Sequence, residues 1–446
     1  MISINDLILV PLYLFIIFGI ARLIKSKNIK KHPEYRYFIK GIWFKLIGVS
    51  FFIIIYLFYY KGGDTITYFR GASALGELIL SDSEKGLAIL FNTDSYYNSY
   101  SSFNYQTGFP AHSYFSNKNT FIVCRISAIF YLLSSKSFVI TSLLTSVFSY
   151  IGIWKFYRLL NLLYPKRQKA FAYLILYMPS LLFWGGGIMK DSFMLGATCW
   201  ITSNIYYLFL AQKKMFWNGF FLILNTIMVL NCKPYILISL IPGFLFWINN
   251  YYLKSVKNKL IRILVFPAII VAFVGLGALI FNSLSDSMGV YGSLEGAIKK
   301  AQITQDDLLN EWHYGGNNYK LDRIDGSISG LVNSAPIAIF TAIFRPLPWE
   351  IGSPTMVVSA IENTVLLLFT FYSLIIIGPF KFLKIIVNDP FLIYCFIFSL
   401  FFAFGVGIAG TNFGALVRYK IPLMPFFFCG VYLVRQKSKS YLSIIS

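Results

Sequence analysis

With 446 residues, 57% of them hydrophobic and only 13% charged, the chain carries more apolar side chains than one soluble core of this length can bury, which excludes a soluble globular protein. A net charge of +21 would suit nucleic acid in a soluble protein. Here the basic residues sit in short loops between apolar runs, so the charge reads as membrane topology and no nucleic-acid partner is expected.

The first apolar run, Leu7 to Ile20, has no basic residue before it, whereas Arg22, Lys25 and Lys27 follow closely. That order predicts an outward N-terminus and is the reverse of a cleaved signal peptide, which carries its charges in front. Further basic clusters follow at Lys25 to Lys40, Lys155 to Lys169, Lys213-Lys214, Lys254 to Arg262, Lys381 to Lys384 and Arg435 to Lys439. Together they hold 22 Lys and Arg, and the loops that carry them hold two acids, Glu34 and Asp389. The positive-inside rule places all six in the cytoplasm.

Threading the chain through these points predicts spans near 7–24, 42–60, 135–155, 170–187, 190–210, 217–232, 234–250, 262–282, 356–378, 390–410 and 420–434. The expected fold is an all-α polytopic membrane protein of about 11 transmembrane helices, N-out and C-in, forming a single integral membrane domain over 1–446. Strand-period alternation is missing from the runs, which favours a helical bundle over a barrel. Two long loops, 61–121 and 283–354, fall on the extracytoplasmic side and hold 13 of the 18 acids, so function is expected there.

The first loop opens with "KGGDTITYFRGA". Gly62 and Gly63 allow a sharp turn, and Tyr68, Ala72, Leu75 and Ile79 recur at helical spacing, which predicts an interfacial helix with Asp64 one turn before Tyr68. Asp64 has two readings: an N-cap of that helix, or an acid facing the head group of a lipid-linked substrate. A Ser/Tyr/Asn-rich stretch, "NTDSYYNSYSSFNYQTG", follows. Further on, "PSLLFWGGGIMKDSF" puts Lys190 and Asp191 at an outer turn. These are either helix-end charges that snorkel or cap, or functional groups, because ionisable residues beside apolar spans are costly. Lys233, in "VLNCKPYIL", occupies the apex of a hairpin, as a snorkelling lysine or as a positive charge aimed at an anionic head group.

The second loop ends in "LVNSAPIAIFTAIFRPLPWEIGSPT". Its apolar run is broken by prolines, so it is expected to lie on or dip into the outer leaflet. Trp349 reads as an interfacial anchor, with Glu350 as a supporting acid. The planar guanidinium of Arg345 suits phosphate oxygens. Arg418, in "TNFGALVRYKIPLMPFF", sits at the last outer turn. Topology thus brings four cations, Lys190, Lys233, Arg345 and Arg418, to one face. The five cysteines lack paired spacing, and His32, His112 and His313 lack the spacing of metal ligands, so no disulfide framework and no histidine metal site are expected. No cofactor is implied; a carboxylate-bound Mg2+ or Mn2+ is left open but not indicated.

Three stretches resemble the GT-C class of polytopic glycosyltransferases over about two-thirds of the chain in pattern. They are "GGDTITYFRGA", "SSKSFVITSLLTSVFSYIGIWKFYRLLNLLYPKRQKAFAYLILYMPSLLFWGGGIMKDSF" and "RYKIPLMPFF". The resemblance implies transfer of a sugar from a polyprenyl-phosphate donor on the extracytoplasmic side, with Asp64 as catalytic base. The acidic motif follows the second span here and the first in that class, and it holds one Asp where many members have two acids. No nucleotide-binding domain is evident, which also favours a lipid-linked sugar donor.

The chemistry needs a carboxylate to take the acceptor proton and cations to stabilise the departing phosphate, and attack opposite the leaving group inverts the anomeric centre. The expected partners are a polyprenyl-phosphate-linked sugar, a saccharide or glycolipid acceptor and membrane lipid. The expected setting is cell-surface polysaccharide or glycoconjugate assembly in a bacterial plasma membrane. Two alternatives stand. One is an O-antigen-type polysaccharide polymerase. The other is a lipid or polysaccharide transporter, which the lack of an internal repeat disfavours.

Overall fold

A backbone in hydrocarbon must satisfy its own N–H and C=O groups, which leaves helices for runs without barrel patterning. The computed structural model of the protein describes residues 1–91, 99–253, 294–309, 317–319 and 328–445. Among these residues there are helices and turns but no strand, and one isolated antiparallel bridge joins Asn318 to Asn412. Two compact units divide the chain. One comprises Met1–Asn204 with Gly219–Lys233, the other Ile205–Asn218 with Pro234–Ser446.

The first unit opens with α1 (Asp6–Asn28) and α2 (Phe38–Ile54), which a π turn extends through Tyr59. Then come α3 (Asp64–Ser81), α4 (Ser83–Phe91), the single-turn α5 (His112–Phe115), α6 (Lys118–Leu133) and the long α7 (Phe138–Leu163). The short α8 (Gln168–Phe171) and α9 (Pro179–Phe183) lead to α10 (Lys190–Ile205) and α11 (Met215–Cys232). α2 packs on α7 and α9, and α3 packs on α4 and α6. Ser137 caps α7 by accepting from the Ile140 amide at 3.2 Å, and its hydroxyl donates to Asp6 Oδ1 at 2.5 Å. One serine thereby fixes the start of α7 to the start of α1.

In the second unit α12 (Pro234–Leu253), α13 (Leu294–Leu308) and α14 (Ile328–Phe344) precede α15 (Pro354–Ile377), α16 (Pro379–Val387) and α17 (Pro390–Ala409). α18 (Phe413–Tyr419) and α19 (Met424–Ile445) close it. α12, α15, α16 and α17 each open on a proline, whose missing N–H costs nothing in the first turn. α17 is the centre, packed by α12, α14 and α19. Its cap, Asp389, accepts from the Phe391 and Leu392 amides at 3.0 and 3.3 Å and pairs with Lys437 of α19.

Eight helices among the described residues are long and apolar enough to cross a membrane: Asp6–Asn28, Pro33–Tyr59, Phe138–Leu163, Lys190–Leu210, Met215–Cys232, Pro354–Ile377, Pro390–Ala409 and Phe413–Lys439. The protein is therefore helical and polytopic, as its composition implies. The expected span 170–187 is not one helix. Pro179 and the Gly185-Gly186-Gly187 run divide it into α8, a π turn, α9 and an irregular turn. The expected 234–250 span forms α12, but Pro234-Tyr235 at one end and Asn249-Asn250 at the other shorten its apolar middle, and it falls outside the eight. The expected span 262–282 lies outside the described residues, as does His313.

Much of 61–121 is helical. The predicted helix after Gly63 is α3, and Tyr68, Ala72 and Leu75 are buried on it. In the second loop, the run expected at the outer leaflet forms α14, with Pro336 inside it, and ends in a 3-10 turn at Pro348–Glu350.

Candidate functional site

The first cluster lies within the first unit. Past the π turn of α2, Gly63 takes φ of 100°, a value that strains any residue with a Cβ, and the Tyr56 ring lies 3.1 Å from where that Cβ would sit. Gly63 therefore holds the cap position and Asp64 is the first residue of α3, where an acid is favoured by the helix dipole. Asp64 Oδ1 accepts a 2.7 Å bond from the Tyr114 hydroxyl of α5, fifty residues on. Tyr68 is 4% exposed and sets its ring edge-on to Tyr114, with centroids 5.1 Å apart. Burial, and then the charge of Asp64, push the Tyr68 phenol well above its ordinary pKa. It stays neutral beside the carboxylate at physiological pH.

The turn between α9 and α10 brings up the cations. Lys45 of α2 is buried and donates to the Leu181 and Gly185 carbonyls at 2.8 and 2.6 Å, closing the end of α9. Ser192 donates back to the Gly186 carbonyl at 2.6 Å. At Gly187, with φ of 69°, the Phe52 ring occupies the place of a Cβ. The pinned turn starts α10 at Lys190, whose Nζ donates to Thr120 Oγ1 of α6 at 2.9 Å. Asp191 points inward and forms a 2.6 Å ion pair with Lys233, the side chains being 2% and 7% exposed. Asn119 donates to the Asn231 carbonyl at 2.8 Å and so ties the start of α6 to the end of α11 beside Lys233.

Lys190 lies within electrostatic reach of Asp64, Asp191 and Lys233, which makes these four charges one cluster. Asp191 and Lys233 neutralise each other in the interior. Asp64 and Lys190 are only partly buried, each in the first turn of a long helix, where backbone N–H groups favour anions. Cys124, on α6 near Lys190, is pushed up to about 12 by burial and is no nucleophile. The cluster thus holds one carboxylate, Asp64, and one lysine, Lys190, that are partly exposed.

The second cluster lies within the second unit. Arg345 donates through Nε and Nη2 to Glu350 Oε1 at 2.8 and 2.5 Å, and Glu350 Oε2 accepts from the Leu347 amide at 2.8 Å. The guanidinium also lies over the rings of Phe413 and Tyr319, at 4.9 and 5.1 Å, and those rings stack at 4.5 Å. Residues 317–319 are tied to 411–413 by two backbone bonds, Tyr319 to Thr411 at 2.9 Å and Phe413 to Asn317 at 3.0 Å. Lys420 is buried and donates to the Ile343 and Arg345 carbonyls and to Asn363 Oδ1 at 3.2, 2.8 and 2.7 Å, closing the end of α14. Arg418 shares α18 with Phe413. Trp349 is exposed beside Glu350.

The four expected cations therefore belong to two sets. Lys190 and Lys233 stand with Asp64 and Asp191 in the first unit, and Arg345 and Arg418 belong to the second. Lys233 and Arg345 are held by carboxylates of their own units, whereas Lys190 bonds a neutral hydroxyl. Sequence reasoning missed Tyr114, Thr120, Lys45, Lys420 and Tyr319. A lysine inside the apolar run "GIWFKLIGVS" was a usable signal for Lys45, and Lys420 stood inside a motif already singled out. Tyr114 and Thr120 gave none, because only the packing of α5 and α6 brings them to the site. No group of three His, Cys, Asp or Glu among the described residues is placed to hold a metal ion. No protein-family model, curated protein or solved structure matches the chain.

Proposed function

We propose that the chain is an inverting membrane glycosyltransferase of the GT-C type, acting on the extracytoplasmic side of a bacterial plasma membrane, with about eleven spans and an N-out, C-in topology. Its donor is a polyprenyl-phosphate sugar and its acceptor a saccharide or glycolipid hydroxyl. Asp64 takes the acceptor proton, oriented by Tyr114. The acceptor oxygen attacks the anomeric carbon opposite the phosphate, the bond from that carbon to the phosphate oxygen breaks, and polyprenyl phosphate leaves with the electron pair. Lys190 and the first turn of α10 stabilise the charge that develops on the leaving phosphate. The buried Asp191–Lys233 pair holds the start of α10 in place. Arg345 and Glu350 satisfy each other, so this reading gives them a structural role.

What supports the reading is one observation: Asp64 and Lys190, the partly accessible members of a four-charge cluster, each begin a helix within a single unit. The test is to give purified protein a polyprenyl-monophosphate sugar or a polyprenyl-diphosphate oligosaccharide, together with a saccharide acceptor. Transfer of a single sugar from the monophosphate is the expected result. Block transfer from the diphosphate would favour the polymerase. Neither reaction, with passage of the lipid-linked saccharide across proteoliposomes, would favour a transporter.

A further inference from the structure

We infer that residues 99–117 form a binding platform for a neutral saccharide, presented by the exposed rings of Tyr105 and Phe109 beside the Asp64 cluster. Its role as the acceptor site rests on the transfer reading above; the binding itself does not. Tyr105 is 98% exposed and Phe109 45%, and their rings meet edge-on with centroids 5.7 Å apart. Exposed edge-on pairs recur at Tyr59–Tyr60, Phe216–Trp217 and Tyr251–Tyr252, each within two residues of a lysine, whereas Tyr105 and Phe109 have no Lys or Arg within eight residues.

The pair sits on a braced turn. Asn104 Oδ1 accepts from the Gln106 and Thr107 amides at 2.8 and 3.0 Å, and Thr107 Oγ1 accepts from the Asn104 amide at 2.9 Å. Beneath it, Tyr100 donates to the Pro110 carbonyl at 3.2 Å and packs on Phe109, His112 and Phe115. Phe115 in turn packs on Phe121 of α6, with centroids 4.6 Å apart. The next residue back on α5 is Tyr114, the partner of Asp64. The platform is therefore continuous with the Asp64 site through one helical turn.

Charge selects the occupant. In a chain of net charge +21, residues 95–117 contain no Asp, Glu, Lys or Arg. A surface for phosphate or anionic lipid would carry Lys or Arg. What surrounds the rings is neutral: Ser101, Asn104, Gln106, Ser113 and Asn117 are exposed. Tyrosine with Ser and Asn is the composition of a rigid amphipathic contact surface with adaptable hydrogen bonding. Flat ring faces take the C–H face of a pyranose, and amides and hydroxyls take its hydroxyl groups.

The test uses the full chain in nanodiscs and an array of neutral and acidic oligosaccharides. Wild type and Asp64→Asn should bind the same neutral glycans. The double variant Tyr105→Ala with Phe109→Ala should bind them about tenfold more weakly at unchanged melting temperature, and Tyr105→Phe, which keeps the ring, should bind as wild type does. Wild type that retains no neutral glycan at millimolar concentration, a preference for acidic glycans, or unchanged binding by the double variant would each overturn the proposal. If Asp64→Asn transfers sugar normally while the double variant loses glycan binding, the platform stands and the catalytic reading of Asp64 fails.

Discussion

Burying Asp191 and Lys233 costs several kcal/mol per ion, which their mutual attraction offsets only while both are present. Lys233→Ala or Asp191→Ala leaves one buried charge uncompensated and should lower stability by about 3–5 kcal/mol. Asp191→Leu combined with Lys233→Met should recover most of that loss. Thermal melting in detergent checks both, and a single variant that melts like wild type would remove the pair from the account. Each of these residues was visible in the sequence as a charge beside an apolar run. Their pairing was not, because forty-two residues separate them and only the packing of α10 against the end of α11 makes them meet. Asp64 was more legible, since two glycines before an acid and a helical apolar spacing after it are local signals. Its bond to Tyr114 depends on how α5 folds back.

The two units use the same device at the level of elements. Lys45 closes the end of α9 and Lys420 closes the end of α14, each by donating from its buried Nζ to terminal carbonyls. Each helix then hands the chain to a turn that carries charged groups: the glycine turn before Lys190, and the "RPLPWE" turn with Arg345 and Glu350. Lys420→Met fills the space but strips three acceptors of their donor. An unsatisfied buried acceptor costs about 1–3 kcal/mol, so the variant should lose at least about 2 kcal/mol in a melting experiment. A loss under about 0.5 kcal/mol would mean that the cap is dispensable. Hydropathy and length gave most spans but misread 170–187, because they average over Pro179 and the three glycines that break the helix.

At the scale of the whole molecule, membrane residence follows from composition alone, and the eight long apolar helices agree with it. The division into two units was not legible, because it depends on which helices, far apart in sequence, fit one another's side chains. Topology rests on charge. With 22 Lys and Arg in six loops against two acids, reporter fusions at Asn104 and Asn317 should be active for an enzyme that works only outside the cytoplasm and silent for one that works only inside. The reverse pattern would overturn the N-out, C-in assignment. Arg345 and Arg418 belong to the second unit, so within the first unit the reaction rests on Asp64, Lys190, Asp191 and Lys233.

The central claim is that the carboxylate of Asp64 accepts a proton in sugar transfer. Asp64→Asn keeps the shape, still accepts from Tyr114 and gives up only the charge–dipole contribution of about 0.3–1 kcal/mol at the helix start, but it is no base. Sugar transfer from a polyprenyl-phosphate donor should be measured for purified wild type and Asp64→Asn, with donor binding and melting temperature as controls. The account predicts a loss of roughly 10²–10⁴-fold in the transfer rate, with binding and stability near wild type; an Asp64→Asn protein that transfers sugar at the wild-type rate would contradict it.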